Sequence, residues 1–475
     1  CNNESNTLLI NYVNPFIGTA GHGHTYPGAS APFGMVQLSP DTRLEGWDGC
    51  SGYHYSDEYI YGFSHTHLSG TGVSDYGDIL IMPTTGTLIL SNGADGKQGY
   101  RSRFSHDNET AKPGFYNVHL DDYNINASLT VSQRAGFHKY LFPKDKNSQI
   151  VLDLKHRDEL ISSGIEIIDN YTLHGHRHSN AWAKEQRIYF YIEFSIPFTE
   201  FTHEEDSLIM GFKFGEITNP LLIKVGISSV SKENAKLNLQ TEIPHWDFNK
   251  TLKETQNDWE KELNKIQIIT EENKKQIFYT ALYHSFLNPN IFSDINGEYL
   301  GTDLKKHISK EKQYTIFSLW DTFRSTHPLF TLVQQERTED FIRTFLRHYK
   351  DGGQLPVWEL AANYTGCMIG YHSVPVITDA YVKGINNFNQ KLALEAMIHS
   401  ATQEHLGLSS YKRNGFISSS DEPESVSKTL EYSYDDWCIA LLADSLEKKS
   451  CKAKSITIKK NNIIYVEQED KELGY

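Results

Sequence analysis

Near residue 248 the hydrophobic period of this chain changes, and no other feature limits its fold more tightly. From residue 78 to about 230 apolar residues alternate with polar ones. In IYFYIEFS, Ile188, Phe190, Ile192 and Phe194 fall on one face and Tyr189, Tyr191, Glu193 and Ser195 on the other, which is the pattern of a half-buried strand. FHKYLF at 137–142 and LIKVGI at 222–227 repeat it, with turn-forming residues between the runs. Many short strands with no helical stretch among them imply antiparallel sheets packed as a sandwich. Beyond residue 248 the period is helical. QIFYTALYHSFL sets Ile277, Ala281 and His284, and likewise Phe278, Leu282 and Phe286, at helical spacing. Further helices are expected at about 320–334, 336–350, 368–384, 389–402 and 424–446, several of them separated by glycine-containing loops. Paired helices of this kind build a toroid or solenoid.

A single hydrophobic core usually stops growing well below 475 residues, so two domains are expected. The divisions read from the pattern are a polar tether at 1–10, a β-sandwich at 11–235, a helical linker at 236–270 and a helical domain at 271–449. The linker is the charged run NKTLKETQNDWEKELNKIQI. The tail at 450–475 is rich in Lys, Ile and Asn and lacks a helical period, which fits either a strand pair or an aberrant or truncated end.

Charge and composition exclude several classes. A net charge of −15 with no basic patch argues against a nucleic-acid partner. No apolar run approaches the roughly 18 residues of a membrane span. Tyr (27) and Phe (24) far outnumber Met (5), which suits strands and sugar-contacting surfaces better than a helical bundle. The five cysteines form no CxxC pair and no His/Cys cluster at zinc spacing, so neither a metal knuckle nor a disulfide framework is indicated. Cys1 is read differently. A chain that begins Cys-Asn-Asn-Glu-Ser-Asn resembles a bacterial lipoprotein after signal removal, with lipid on the Cys as its only link to a membrane.

Chemistry-bearing residues gather in two stretches. Thr315–Tyr381 holds TIFSLWDTFRSTHPL and GGQLPVWELAANYTGCMIGYHSVPVITDAY, which place Trp320, Asp321, Arg324, Gln354, Trp358 and Glu359 among apolar residues and glycines. Sugars are bound by aromatic faces and by planar polar side chains that fork onto neighbouring hydroxyls, and these are those residue types. A helix cap with a buried ion pair would use the same residues. The second stretch, residues 11–83, is dense in Gly, Pro and His, and its loops carry His22, His24, Trp47, Asp48, His65 and His67. The pairs HGH and HTH also suit a metal, but no carboxylate is fixed beside them by spacing.

The segments YVNPFIGTAGHGHTYPGASAPFGMVQLSPDTR, GWDGCSGYHYSDEYIYGFSHTHLSGTG, SLWDTFRSTHPL, GGQLPVWELAANYTGCMIGYHSVPVITDAYVKGI and ESVSKTLEYSYDDWCIALLADSL resemble glycoside hydrolase family 92, the calcium-dependent exo-acting α-mannosidases of bacteria. The resemblance runs almost continuously from Tyr12 to about Ser445. It implies an N-terminal antiparallel β-sandwich followed by an (α/α)₆ barrel, of which six of about twelve helices are expected here. It implies an enzyme that releases terminal mannose from N-glycans or mannan with inversion, using an acid and a base roughly 6.5 to 9.5 Å apart, and the lipoprotein-like start adds a periplasmic or cell-surface location. It also implies calcium, a hard cation suited to sugar hydroxyls and carboxylates. By position in matching motifs, Trp47, Asp48, Trp320, Asp321 and Arg324 are the first candidates for a terminal-mannose subsite, and His65, His67, Gln354 and Glu359 the second.

The sequence departs from the family in one respect. The segments associated with the acid (Thr-Glu-Gly-Asn-Ala-Trp), the calcium cluster (Gly-Asn-Glu-Pro-Ser-His) and the base (Gly-Asn-Asp/Glu-Asp-Cys-Gly) occur nowhere in these 475 residues. No catalytic or metal-ligating residue is therefore assigned. Acid, base and calcium ligands are expected beyond Tyr475, and an exposed apolar flank with a tendency to aggregate is expected of the half-barrel. A non-catalytic carbohydrate-binding protein and an inactive gene fragment are the alternatives.

Overall fold

The structure, a computed structural model, describes residues 8–144 and 146–449 together with the strand residues 457–458 and 464–465. Cys1 and most of the tail lie outside the described residues. The chain divides into two compact units, one of residues 1–300 with 306–310 and the other of residues 301–305 with 311–475.

The first unit is built on two sheets. Seven strands follow the order Ala29–Ser30, Gln37–Asp41, Gly62–Ser64, Leu80–Thr85, Asn147–Asp153, Ile209–Glu216 and Glu200–His203. Eight follow the order Glu159–Ile167, Thr172–Asn180, Gln186–Phe194, Leu221–Ser228, Ala135–Leu141, Ile125–Val131, Phe115–Leu120 and Glu109–Lys112. Neighbours pair antiparallel throughout, as in Tyr191 opposite Gly226 and Phe137 opposite Thr130. Ile188, Phe190, Ile192 and Phe194 are buried, as their alternation requires. Tyr191, from the other face of the same strand, is buried too, because that face is covered by a helix.

That helix, Lys232–Glu242, starts where Ser231 accepts a hydrogen bond from the Asn234 N–H (3.1 Å), satisfying one of its orphan donors. Ala235 and Leu239 then pack with Ala135, Phe137, Tyr191, Ile243 and Phe248. Gly226 permits the approach, since a Cβ there would lie 2.2 Å from the Ala235 carbonyl oxygen. Each fully buried Leu or Phe in such a cluster contributes about 1.5–3 kcal/mol. The segment read as a connector packs within this unit as the helix Phe248–Leu263, capped by Asp247. Its sequence is mostly polar, yet Phe248, Thr251, Thr255, Trp259 and Leu263 recur on one buried face. The Trp259 indole N–H donates to the Ser30 carbonyl at 2.6 Å. A third helix, Glu272–Ser285, follows in the same unit.

The second unit is helical, with Thr326–Val333, Gln335–Gly352, Ser373–Val382, Gln390–Thr402, Leu408–Asn414 and Ser425–Lys449. Phe317, Phe330, Phe341 and Phe345 form edge-to-face and tilted contacts around the buried His327. A small sheet of Phe317–Ser318, Trp358–Leu360 and Asn363–Tyr364 carries Glu359 opposite Phe317. The helix expected over 368–384 begins only at Ser373, because Met368 and Gly370 adopt positive φ (73° and 81°), which a right-handed helix excludes. On Ser425–Lys449, Val426, Leu430, Tyr434 and Trp437 form an exposed apolar stripe. In the tail, Thr457–Ile458 and Ile464–Tyr465 pair antiparallel. The chain is thus an antiparallel β domain followed by a helical domain.

Candidate functional site

In the first unit the loop through Trp47 and Asp48 is held at its base by backbone bonds. The Thr42 and Arg43 N–H groups both donate to the Gly52 carbonyl (2.8 and 3.1 Å), and the Arg157 guanidinium donates to the Cys50 carbonyl (2.9 Å). Trp47 stands at the tip with 62% of its surface exposed. Its indole meets the His24 ring edge-on at 4.7 Å and lies over Gly72, where a Cβ would come within 2.3 Å of the ring. Asp48 accepts from His22 Nδ1 at 2.7 Å. The pairing raises the His22 imidazole above its ordinary value, while the bond to His22 lowers the Asp48 carboxyl against the opposing effect of burial. An exposed indole beside a charged carboxylate offers a stacking face and a hydroxyl acceptor side by side.

His65 and His67 sit elsewhere, in the interior. His65 Nδ1 lies 2.8 Å from the Ile79 carbonyl and its Nε2 3.0 Å from His138 Nε2, while His138 Nδ1 meets the Tyr140 hydroxyl at 2.8 Å. Only one arrangement of protons satisfies all three contacts with neutral rings. Tyr140 donates to His138, His138 donates to His65, and His65 donates to Ile79. Burial pushes His65 down to about 4 and His138 well below its ordinary value, consistent with neutral rings. His67 faces the buried Asp41, with Nε2 3.3 Å from Asp41 Oδ1, and is also within hydrogen-bond reach of Ser64 Oγ and the Gln37 carbonyl. Burial by itself would raise the Asp41 carboxyl, but His67 and His156 pull it well below the usual carboxylate range. Both histidines have structural partners, and neither accompanies Trp47.

In the second unit Trp320, Asp321 and Arg324 share one short helical turn and the residues after it, Leu319–Thr322 being the helix. The Arg324 guanidinium lies over the Trp320 ring at 5.1 Å and over Phe323 at 4.7 Å, and it bonds Glu431 at 2.8 Å. Asp321 is exposed and accepts from the Ser318 hydroxyl. The Trp320 indole nitrogen is buried with no partner. Behind this turn Phe323 stacks on His372 at 4.0 Å, and His372 Nδ1 lies 2.8 Å from Asp435. Gln354 is half-buried. Glu359 is 2% exposed, and its Oε1 accepts from the Thr315 hydroxyl (2.9 Å) and the Ala362 N–H (2.7 Å) while Oε2 has no partner. Burial lifts its carboxyl to about 8, so it is predominantly neutral near pH 7.

Each unit therefore brings its own first-rank residues together. Sequence reasoning missed Glu431, His372 and Asp435, which belong to the motifs ESVSKTLEYSYDDW and GYHSVP but reach Arg324 and one another only across long separations. His22 was visible as a loop histidine, without a sign that Asp48 was its partner. Among the described residues no group of three or more His, Cys, Asp or Glu side chains could hold a metal ion.

The sequence model of the Glycosyl hydrolase family 92 N-terminal domain matches residues 12–228, and that of the Glycosyl hydrolase family 92 catalytic domain matches residues 234–461. A solved family GH92 α-mannosidase from Bacteroides thetaiotaomicron is 38% identical with a TM-score of 0.89, over 94% of this chain and 64% of that one. A family GH92 inverting mannosidase from the same organism is 30% identical with a TM-score of 0.86, over 94% of this chain and 63% of that one. A curated relative, an uncharacterized secreted glycosidase of Arthroderma benhamiae, is 25% identical over 93% of this chain and 60% of its own length. The chain spans about three fifths of the length of these relatives. Fold and sequence together place it among the glycosyl hydrolase families. The chain belongs to glycosyl hydrolase family 92.

Proposed function

We propose that the protein represented by this chain is an exo-acting, inverting α-mannosidase that trims terminal mannose from N-glycans or mannan. The observation that carries the reading is the 38% identity and TM-score of 0.89 to a family GH92 α-mannosidase over 94% of the chain. That enzyme has also been solved with mannoimidazole bound. The groups proposed to meet mannose are Trp47 and Asp48 in the first unit and Trp320, Asp321 and Arg324 in the second. An indole covers the C–H face of the sugar, a carboxylate accepts from its hydroxyls, and the guanidinium donates to them. His65, His67 and Glu359 are assigned to supporting roles on account of their burial, and Gln354 to the periphery.

The acid, the base and the calcium ligands are assigned to segments outside these 475 residues, a reading supported by the absence of all three associated motifs. A location outside the cytoplasm, in the periplasm or at the cell surface, is part of the proposal, supported by the curated relative being a secreted glycosidase.

The test is twofold. Calorimetry with mannose should detect binding that weakens in Trp47→Ala and in Asp321→Ala, and binding unchanged in both would refute the site. An aryl α-mannoside with added calcium should yield no mannose from this chain, and turnover at the rate of an intact glycosidase would refute the assignment of acid and base to other segments. Binding without turnover is also the signature of the alternative, a non-catalytic carbohydrate-binding protein, which the missing motifs favour. Turnover by the chain extended with segments carrying those motifs separates the two.

A further inference from the structure

Away from Trp47 and its partners, the first unit carries a second exposed indole in a different setting. Trp246, 39% exposed, precedes the helix Phe248–Leu263. Lys224 Nζ sits 4.2 Å from the Trp246 ring centroid, and the Phe137 ring meets it edge-on at 6.3 Å. Lys224 is itself buried and fixed, donating to the Ile243 carbonyl at 3.1 Å and pairing with Glu193 at 2.8 Å. The indole is therefore held from behind by groups that cannot swing away. An ordered aromatic platform loses little entropy when a ligand settles on it.

The platform lies in an open groove of about 640 Å³, within the roughly 300–1,000 Å³ of small-ligand sites. Around it stand Lys139, Ser195, Asn219, Asp247 and Asn249. Much of their hydrogen-bonding capacity is uncommitted. The Asn219 and Asn249 amides make no side-chain bond to other described residues. Ser195 Oγ accepts from the Leu222 N–H (2.9 Å), which leaves its proton to donate. Asp247 uses Oδ1 to cap the helix at the Lys250 N–H (3.0 Å), which leaves Oδ2 free to accept. Lys139 stands over the Phe248 ring at 5.6 Å, and among the described residues no carboxylate pairs with it. Amides, a hydroxyl, a carboxylate and an ammonium supply donors and acceptors around a flat apolar floor. A pyranose has the matching surface, apolar C–H faces with a rim of hydroxyls that both donate and accept.

We infer that the Trp246 groove is a second carbohydrate-binding site, separate from Trp47 and Trp320, that holds one pyranose unit of a polymeric glycan while the catalytic protein works on chain ends. Naming a mannoside as its ligand rests on the proposed function. The groove itself rests on Trp246 and its neighbours.

Affinity electrophoresis of the 475-residue chain in native gels containing yeast mannan tests it. The chain should be retarded, Trp47→Ala with Asp321→Ala should still be retarded, and Trp246→Ala should cut the apparent affinity at least tenfold. Because Trp246 also touches Phe137, Asn219→Ala serves as a second variant that alters only the groove, and it should weaken retardation several-fold. Retardation unchanged in both groove variants overturns the inference, and so does an absence of retardation in mannan, glucan and xylan gels alike. Retardation in glucan or xylan alone, lost with Trp246→Ala, would retain the groove and overturn the mannoside reading.

Discussion

Glu359 makes the stability of the second unit depend on pH, in a direction the structure fixes. Its carboxyl is buried, Oε1 accepts from Thr315 and Ala362, and Oε2 has no partner to stabilise a charge. Burial raises it from an ordinary 4.5 to about 8. Between those values the folded unit keeps a proton that the unfolded chain has released, so stability falls as pH rises through the window. Each pH unit of separation is worth about 1.4 kcal/mol, which gives a loss of about 3–4 kcal/mol between pH 5 and pH 8 and a fall in Tm of about 6–16 °C for a domain of this size. Glu359→Gln keeps an acceptor for Thr315 and Ala362 and cannot ionise. The variant should match the wild type near pH 5 and exceed it at pH 8. Asp435, Asp436 and Asp340 are also raised by burial and add to the wild-type slope, so the difference between the two proteins is the diagnostic quantity. Scanning calorimetry of the second unit's transition at half-unit steps from pH 5 to 8 measures it. If the Gln variant loses as much stability as the wild type over that range, the buried neutral carboxyl is not there.

Trp47 is so exposed that Trp47→Ala should change stability by no more than about 0.5 kcal/mol in urea unfolding. The same variant should lose about tenfold in mannose affinity by calorimetry, and loss of stability without loss of binding would make it a packing residue. Asp48→Asn should return the His22 titration, followed by NMR of the ring protons, toward the ordinary imidazole value, because Asp48 is the cause of its rise; an unmoved titration would show that the contact does not form. Arg177→Met leaves the buried Asp78 without its ion-pair partner and should cost about 3–5 kcal/mol in the first unit. Adding Asp78→Asn should recover part of that loss, and simple additivity of the two would rule out coupling. Arg324→Lys preserves charge but not the planar contact over Trp320 or the bond to Glu431 in its present geometry, so mannose affinity should fall while the fold melts normally.

The periodicity of the chain made its architecture legible. Ile188 to Phe194 could hardly be anything but a strand, and the change of period announced the helices. Composition did not reveal a stripe. The charged run over Phe248–Leu263 read as a helical connector and is a helix, but its few apolar and small residues share one face, and that face is buried. The candidate site was legible only as far as neighbours in sequence are neighbours in space. Trp320 and Arg324 are four apart and stack, whereas Arg324 and Glu431 are 107 apart, and His372 and Asp435 are 63 apart. No spacing rule reaches that far.

Histidine shows the same boundary more sharply, because one residue type serves opposite purposes in this chain. His22 is open to water and charged more readily because Asp48 lies against it, whereas His65 is sealed and kept neutral by burial. Both come from glycine-rich, histidine-bearing motifs that read alike. What separates them is the residue each one meets, Asp48 for His22 and His138, 73 positions away, for His65. Loop histidines therefore become candidates for sugar or proton chemistry only when their partners leave a face toward solvent. By that criterion His22, paired with Asp48, stays a candidate, whereas the buried His65 and His67 keep no face toward solvent.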